Sequence, residues 1–321
     1  MGASGAAVHL NGRGDFVSMF VVELAPGSSS EPQRHLYEEV VYVLAGRGST
    51  TVEAADGKRH SFEWERGSMF AIPLNAKYRH FNGSGSDSAR MVSTTNAPAV
   101  MNMFHNTDFV FSNAFDFEDR ISDEKYFNGE GKFIPRRPGV HMWETNFVAD
   151  LVRIDLEERP ERGSGARILG FILADGTMHA HLSEVPVGRY KKGHRHAADY
   201  HVMCVDGVGY TLLWYEGEQD FVRIDWKHGT VFAPPDQMFH QHFNIGTSPA
   251  RYLATAFGST RYPFTDSKRK SKLGKFYTSV KLGGDQIEYE DQSERIAQLY
   301  EQATSQLGIT VTMPEFSASK P

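Results

Sequence analysis

The 321-residue sequence contains one cysteine, Cys204, so no disulfide can form within the chain and nothing points to an oxidising compartment. No apolar run approaches the roughly 20 residues of a membrane-spanning helix. Met1 to Asn11 lacks both the basic start and the apolar stretch of a signal peptide. An excess of basic residues is missing too. The 34 lysines and arginines face 40 acidic residues, and the formal net charge of -6 argues against nucleic acid as a main partner. No helix-turn-helix pattern is evident. The expectation is a soluble, cytoplasmic protein without membrane or nucleic-acid partners. A hydrophobic content of 40% with 12% aromatics is ample for packed cores, and the length suits about two domains.

What the sequence does have is histidine in pairs. His194 and His196, within Gly188–Gly207, alternate on one face of an expected strand, because successive strand side chains point to opposite sides. His240 and His242, within Gly229–Asn244, again share a strand face. Three neutral imidazoles converging inside a barrel suit Fe, Zn, Ni or Cu, and three protein ligands leave positions open for water, substrate or O2.

These stretches resemble the two motifs of the cupin superfamily: a glycine, a His-x-His pair, a glutamate and a second glycine, then a glycine, Pro-x-Gly, a histidine and an asparagine. Gly188, His194, His196 and Gly207 fit the first, and Gly229, Pro235, His240 and Asn244 the second. Two positions depart. Tyr200 stands where the glutamate belongs, and Gln237 stands at the glycine of Pro-x-Gly. The first departure removes the carboxylate ligand and leaves a three-histidine set.

The punctuation of this region occurs twice. Gly27, Gln33, His35, Glu39, Gly46 and Gly48 each lie 161 residues before Gly188, His194, His196, Tyr200, Gly207 and Gly209. The offset shifts around the hairpin turn Asp56-Gly57, matched by Glu216-Gly217. It then becomes 162 for Trp64/Trp226, Gly67/Gly229, Pro73/Pro235, Tyr78/His240, His80/His242 and Asn82/Asn244. Short β-branched or apolar runs, such as Val40–Leu44, Phe171–Leu173 and His201–Val205, are bounded by glycine, aspartate and turn pairs including Asp175-Gly176. The reading is an all-β fold of two tandem jelly-roll (cupin) barrels, a bicupin, with a C-terminal helix. The expected boundaries are 10–100 for the first barrel, 101–165 for an aromatic-rich segment, 166–260 for the second barrel and 261–321 for a tail.

The middle segment carries Phe104, Phe109, Phe111, Phe115, Phe117, Tyr126, Phe127, Phe133 and Trp143. They are expected to act as glue between barrels and across a subunit interface, in a homodimer or higher homo-oligomer. Glu158–Gly165 reads as a plain loop, and the basic run Ser267–Lys272 as a solvated one. In the tail, Gln286–Tyr289 reads as a short strand. Asp291 or Ser293 caps a helix whose apolar positions are Ile296, Leu299, Tyr300, Ala303 and Leu307, stopped by Gly308.

Comparing the repeats locates the chemistry. The first barrel has Gln33, His35, Glu39 and Tyr78 where the second has His194, His196, Tyr200 and His240, so an empty or weakly occupied first site is expected. In the second barrel, one divalent transition metal per chain is expected on His194, His196 and His240. Tyr200 and His242 are expected as the catalytic residues, Tyr200 by hydrogen bonding and His242 in a structural or supporting role rather than as a fourth ligand. His201 should face the other way. His179 and His181 are cavity or edge positions, and Cys204 is a buried free thiol. Arg189, Lys191, Lys192 and Arg195 flank the histidines as exposed turn residues or as attractors of an anionic small-molecule substrate.

The superfamily includes gentisate-type dioxygenases, which are bicupins with three-histidine Fe(II), and also decarboxylases, isomerases, hydrolases and ligand-binding proteins. The resemblance implies an Fe(II)-dependent dioxygenase of a small aromatic or oxygenated acid, an oxidoreductase. The alternatives are a Mn-, Ni- or Zn-dependent decarboxylase, isomerase or hydrolase, and a non-catalytic ligand-binding or regulatory bicupin.

Overall fold

The computed structural model describes residues 2–10, 16–54, 57–120, 124–196, 200–258 and 277–314. Asp56 of the first expected hairpin turn and the basic run Ser267–Lys272 lie outside them. No helix among the described residues is long and apolar enough to cross a membrane. The chain forms two compact units. One comprises Met1–Asp155, Leu169–His181 and Thr255–Thr260; the other comprises Leu156–Ile168, Leu182–Ala254 and Arg261–Pro321.

The first unit is a sandwich of antiparallel strands. Its larger sheet runs in the order Ser4–Val8, Ser18–Leu24, Ala89–Thr95, Glu39–Ala45, Met69–Ala71, Phe147–Val148. The smaller runs Arg59–Glu65, Arg47–Glu53, Lys77–Asn82. One-sided burial explains the alternation: Phe62 and Trp64 point inward, while Arg59, Glu63 and Glu65 face solvent. Leu24, Val41, Val43 and Met91 from the larger sheet meet Val52, Phe62, Trp64 and Tyr78 from the smaller in one core.

The aromatic segment is more structured than its sequence suggests. Asn96 starts the helix Ala97–Phe104, with a proline in its first turn, where the missing N–H costs nothing. A short helix, Thr107–Phe111, follows. The hairpin Lys132–Arg137/Val140–Thr145 then pairs in parallel with residues 170–173 of the same unit. Of the aromatics, Phe127 is buried in the unit's core, whereas Phe104, Phe109, Phe111, Phe115 and Phe133 are exposed.

In the second unit the strands Val222–Lys227, Val208–Trp214, Phe239–Asn244, Gly193–His194 and Gln286–Ile287 form one sheet in that order. Val202, Cys204, Trp226, Phe232, Ala250 and Tyr252 cluster into a core. The expected loop at Glu158–Gly165 contains a strand, Glu157–Glu158, and a 3-10 turn, Pro160–Arg162. Tyr289 belongs to a further 3-10 turn, not to the strand ending at Ile287. The terminal helix spans Glu294–Gln306 and buries Ile296, Tyr300 and Ala303. Leu307, expected on that face, is exposed because it is the C-cap residue, where the helical period has ended. The Tyr300 hydroxyl lies 3.1 Å from the Arg189 carbonyl oxygen and 2.9 Å from that of Asn244, so its single proton serves two acceptors.

The duplication is visible atom by atom. A Cβ on Gly209 would lie 2.1 Å from the Trp226 ring and 2.2 Å from the Phe243 carbonyl oxygen; on Gly48 it would lie 2.5 Å from Trp64 and 2.0 Å from Phe81 oxygen. In both units an indole covers a bare stretch of strand. Gly209→Ala is therefore expected to destabilise the protein by about 1–3 kcal/mol or more. Gly85→Ala, where nothing lies within 4 Å, should leave it unchanged. Thermal unfolding of the two variants checks this.

Candidate metal centre

Strand pairing brings the histidines together. His194 is the direct antiparallel partner of His240, and their ring centroids are 4.1 Å apart. His196 lies just beyond the strand, with its ring 5.6 Å from that of His194 and 4.7 Å from that of His240. A backbone bond from Gln237 N to His196 O, 3.1 Å, fixes that loop. Gln237 sits at φ 58 and its counterpart Asn75 at φ 59, the left-handed region. That conformation accounts for a motif position that favours glycine; glutamine adopts it at a cost of roughly 1–2 kcal/mol.

One ring nitrogen from each of His194, His196 and His240 lies within 4.8 Å of the others. Two nitrogens bound to one ion at about 2.1 Å are at most about 4.2 Å apart, so a small inward movement suffices. The Nδ1 atoms of His194 and His240 each lie 3.3 Å from a carbonyl oxygen two residues back, those of Lys192 and Met238. A carbonyl only accepts, so both Nδ1 atoms carry hydrogen and Nε2 keeps its lone pair for an ion. Burial is the main force holding both imidazoles well below the usual histidine range. Arg162 and the other histidines reinforce it at His194, and His196 and His242 do so at His240. Neutral imidazole is the form that ligates. The three residues fit a divalent transition metal.

The remaining candidates fall around this trio. The Tyr200 ring meets the His196 ring edge-on at 4.8 Å, and the side chain is half-buried against the second unit's core. His242 lies outside the trio. Its Nδ1 is 2.8 Å from Thr211 Oγ1, which accepts from Trp226 Nε1 at 3.0 Å. The first unit repeats the device: His80 Nδ1 is 2.7 Å from Thr50 Oγ1, which accepts from Trp64 Nε1 at 2.9 Å. In each case the threonine oxygen accepts from the tryptophan and keeps its own proton and a second lone pair for the contact with histidine Nδ1. The threonines were the unread part of this signal; they repeat at the same offset as the glycines.

His201 is buried on its strand, and burial lowers its pKa to about 4. His179 and His181 belong to the first unit and are not in the cluster found among the described residues. Cys204 is buried, and burial pushes its thiol up to about 12.

Of the four flanking cations, Lys191 departs from the exposed-turn expectation. It is 2% exposed, with Nζ 2.9 Å from the Tyr252 hydroxyl and 3.3 Å from Ser183 Oγ. Burial, aided by Arg162, holds its pKa well below the usual lysine range. The Tyr252 ring packs on His242 at 4.4 Å, so this amine lies one side chain behind His242. Lys192 pairs with Glu288, and Arg195 with Glu216 and Asp285; Arg189 bonds Ser164 and Thr312.

In the first unit, Gln33 pairs with Tyr78 as His194 pairs with His240. Here the side chains already bond one another. The Tyr78 hydroxyl lies 2.6 Å from Glu39 Oε1 and 2.9 Å from His35 Nε2, while Ser93 donates to Glu39 Oε2.

Comparison with known proteins agrees with this architecture. Residues 20–95 match the model of the cupin domain. Among solved structures, the chain is similar to Bacillus subtilis oxalate decarboxylase characterised for its Mn(II) centres, at 16% identity over 82% of this chain and 74% of that one, TM-score 0.52. An arginine-to-alanine variant of the B. subtilis enzyme matches at 15% identity with 82% and 74% coverage, TM-score 0.52. A two-residue deletion variant matches at 16% with 80% and 73% coverage, TM-score 0.52. No curated protein matches the sequence. Residues 20–95 thus match a cupin domain, and the chain as a whole has a fold of two tandem jelly-roll barrels similar to those structures.

Proposed function

We propose that the second barrel binds one divalent transition metal through His194, His196 and His240, and that the protein is a metal-dependent enzyme that decarboxylates a small carboxylic acid. The observation that carries this reading is the convergence of three ring nitrogens within 4.8 Å. Decarboxylation is placed ahead of the Fe(II) dioxygenase expectation because the structural neighbours are oxalate decarboxylases, one described by its Mn(II) centres. At this level of identity the likeness supports the fold; the reaction is our inference.

When bound, the ion supplies a Lewis acid whose charge three neutral ligands do not diminish. The chain's own residues supply the rest. Lys191 places an amine, bonded to the Tyr252 and Ser183 hydroxyls, behind the histidines. Loss of CO2 leaves an electron pair on carbon that takes up one proton. Tyr200, beside His196, is the candidate to hold that proton at its hydroxyl. His242, fixed by Thr211, keeps its ring from turning and supports the wall next to His240.

Elemental analysis should find one metal equivalent in the purified chain. His194→Ala, His196→Ala or His240→Ala should each abolish it, and His35→Ala should leave it unchanged; the reverse pattern would place the metal in the first barrel. With a panel of small mono- and dicarboxylic acids, starting from oxalate, CO2 release without O2 consumption is expected. Consumption of O2 in proportion to substrate would restore the dioxygenase reading.

Tyr200→Phe should retain the metal and lose roughly 10²–10⁴-fold in turnover, as for removal of an acid–base group. Turnover at the parental rate would make Tyr200 mere filling.

The exposed Phe104, Phe109, Phe111 and Phe115, joined by the neighbouring Met103, form the surface we assign to a homodimer contact. Sedimentation at micromolar concentration should give twice the 36.0 kDa chain mass. A monomer would remove this assignment.

A further inference from the structure

His194 lies in the middle of a row that crosses three strands. Its direct partner on one side is His240 and on the other is Gln286, and residues directly opposed on antiparallel strands point to the same face. The Gln286 side chain, 1% exposed, therefore stands on the face that carries the two imidazoles, one strand spacing of about 4.8 Å from His194. Its Nε2 donates to Glu288 Oε1 at 2.8 Å, which leaves its Oε1 as the acceptor. Arg162 Nη1 donates to that oxygen at 3.3 Å. A guanidinium group is thereby placed at the end of the histidine row.

The backbone sets Arg162 in this place. It ends the 3-10 turn Pro160–Arg162, its N–H bonds Arg159 O at 2.9 Å, and its own carbonyl accepts from Lys192 N at 3.0 Å, two residues before His194. The next residue, Gly163, leaves no room for a side chain: a Cβ there would lie 2.8 Å from the Tyr289 hydroxyl and 2.9 Å from Lys191 Cα. The turn is thus packed directly on the segment that bears the ligands. The guanidinium lies over the Tyr277 ring, 5.5 Å from its centroid.

Burial lowers the pKa of Arg162 from its ordinary value, against the opposing pull of Tyr277, Tyr252, Glu161 and Tyr200, yet a guanidinium keeps its proton in proteins. The flanking basic groups are engaged in other ways. Glu288 gives its second oxygen to Lys192, Glu216 and Asp285 take Arg195, and burial depresses Lys191. A guanidinium has five N–H donors, and a carboxylate takes two of them in parallel and is a stronger acceptor than an amide oxygen. Arg162 is half-buried, so its fork is within reach of a small solute. We propose that Arg162 is the residue by which the second barrel recognises its substrate, binding a carboxylate of a small acid beside His194. The choice of acid rests on the decarboxylase reading above; the anion anchor itself is a property of this turn.

The test is equilibrium dialysis of radiolabelled oxalate and acetate against the full chain as purified, in the parent, Arg162→Gln and Arg162→Lys, with metal content measured on the same samples. The three proteins should hold the same amount of metal. Arg162→Gln should bind both acids about 10–100-fold more weakly, as for loss of a charge-assisted hydrogen bond, and Arg162→Lys should recover part of that loss. Equal acid binding by the parent and Arg162→Gln, loss of metal from Arg162→Gln, or no acid bound by the parent would each overturn the proposal. Assays of CO2 release separate the anchor from the reaction. Acid binding that depends on Arg162 without CO2 release upholds the anchor and removes decarboxylation. CO2 release by Arg162→Gln at the parental KM removes the anchor and leaves decarboxylation standing.

Discussion

The candidate site depends on the register of a strand only two residues long. Gly193–His194 is held on one side by Phe239–Asn244 and on the other by Gln286–Ile287. Directly opposed residues on antiparallel strands have their Cα atoms about 4.5–5.5 Å apart, which is why the His194 and His240 rings come within reach of one ion. A slip of one residue would turn His194 to the other face and dissolve the site. The lateral bonds around this short strand show how the slip is prevented. Arg195 N bonds Asp285 O at 3.0 Å, Lys191 N bonds His242 O at 3.0 Å, and the Tyr289 hydroxyl donates to Tyr190 O at 2.6 Å.

Duplication preserved the supports and changed the contents. Trp–Thr–His hydrogen-bond chains recur in both barrels, as do the bare glycines beneath each tryptophan and the left-handed turn at Asn75 and Gln237. Removing one member of a Trp–Thr–His chain would leave a buried polar group unpaired, and a side chain on either glycine would strike the indole and a backbone carbonyl. The residues at the ligand positions differ. One barrel converges on three imidazoles; the other converges on an imidazole, a phenol and a carboxylate that satisfy one another.

The parts legible in the sequence were those with a fixed local geometry. The glycines, prolines and histidines at constant offset revealed the two barrels, and alternation placed His194 and His196 on one strand and His240 on another. Long-range register was not legible. Nothing local says that Gln286–Ile287 completes the strand bearing His194. Lys191 reads as a solvated turn residue because lysine is seldom buried, and only the fold shows Ser183 and Tyr252 within hydrogen-bond reach of its Nζ. The hairpin at Lys132–Thr145 was hidden by its arginines and by Pro135, which a strand tolerates only where no ladder bond is needed. The helix at Ala97 did carry a signal, a proline just inside its start, that the aromatic content overshadowed.

The pairing of Gln286–Ile287 with the His194 strand also has a consequence for the order in which the molecule is made. The first barrel's His35–Tyr78–Glu39 cluster has all its members by Ser93. The second barrel's histidines are all synthesised by His240, yet the flanking strand that holds His194 in register arrives more than forty residues later. Until that strand has docked, the Gly193–His194 strand lacks one of the two neighbours that hold it in register opposite His240. The gathering of the three imidazoles is thus tied to a strand made late in the chain, whereas the first barrel's cluster has all its members much earlier.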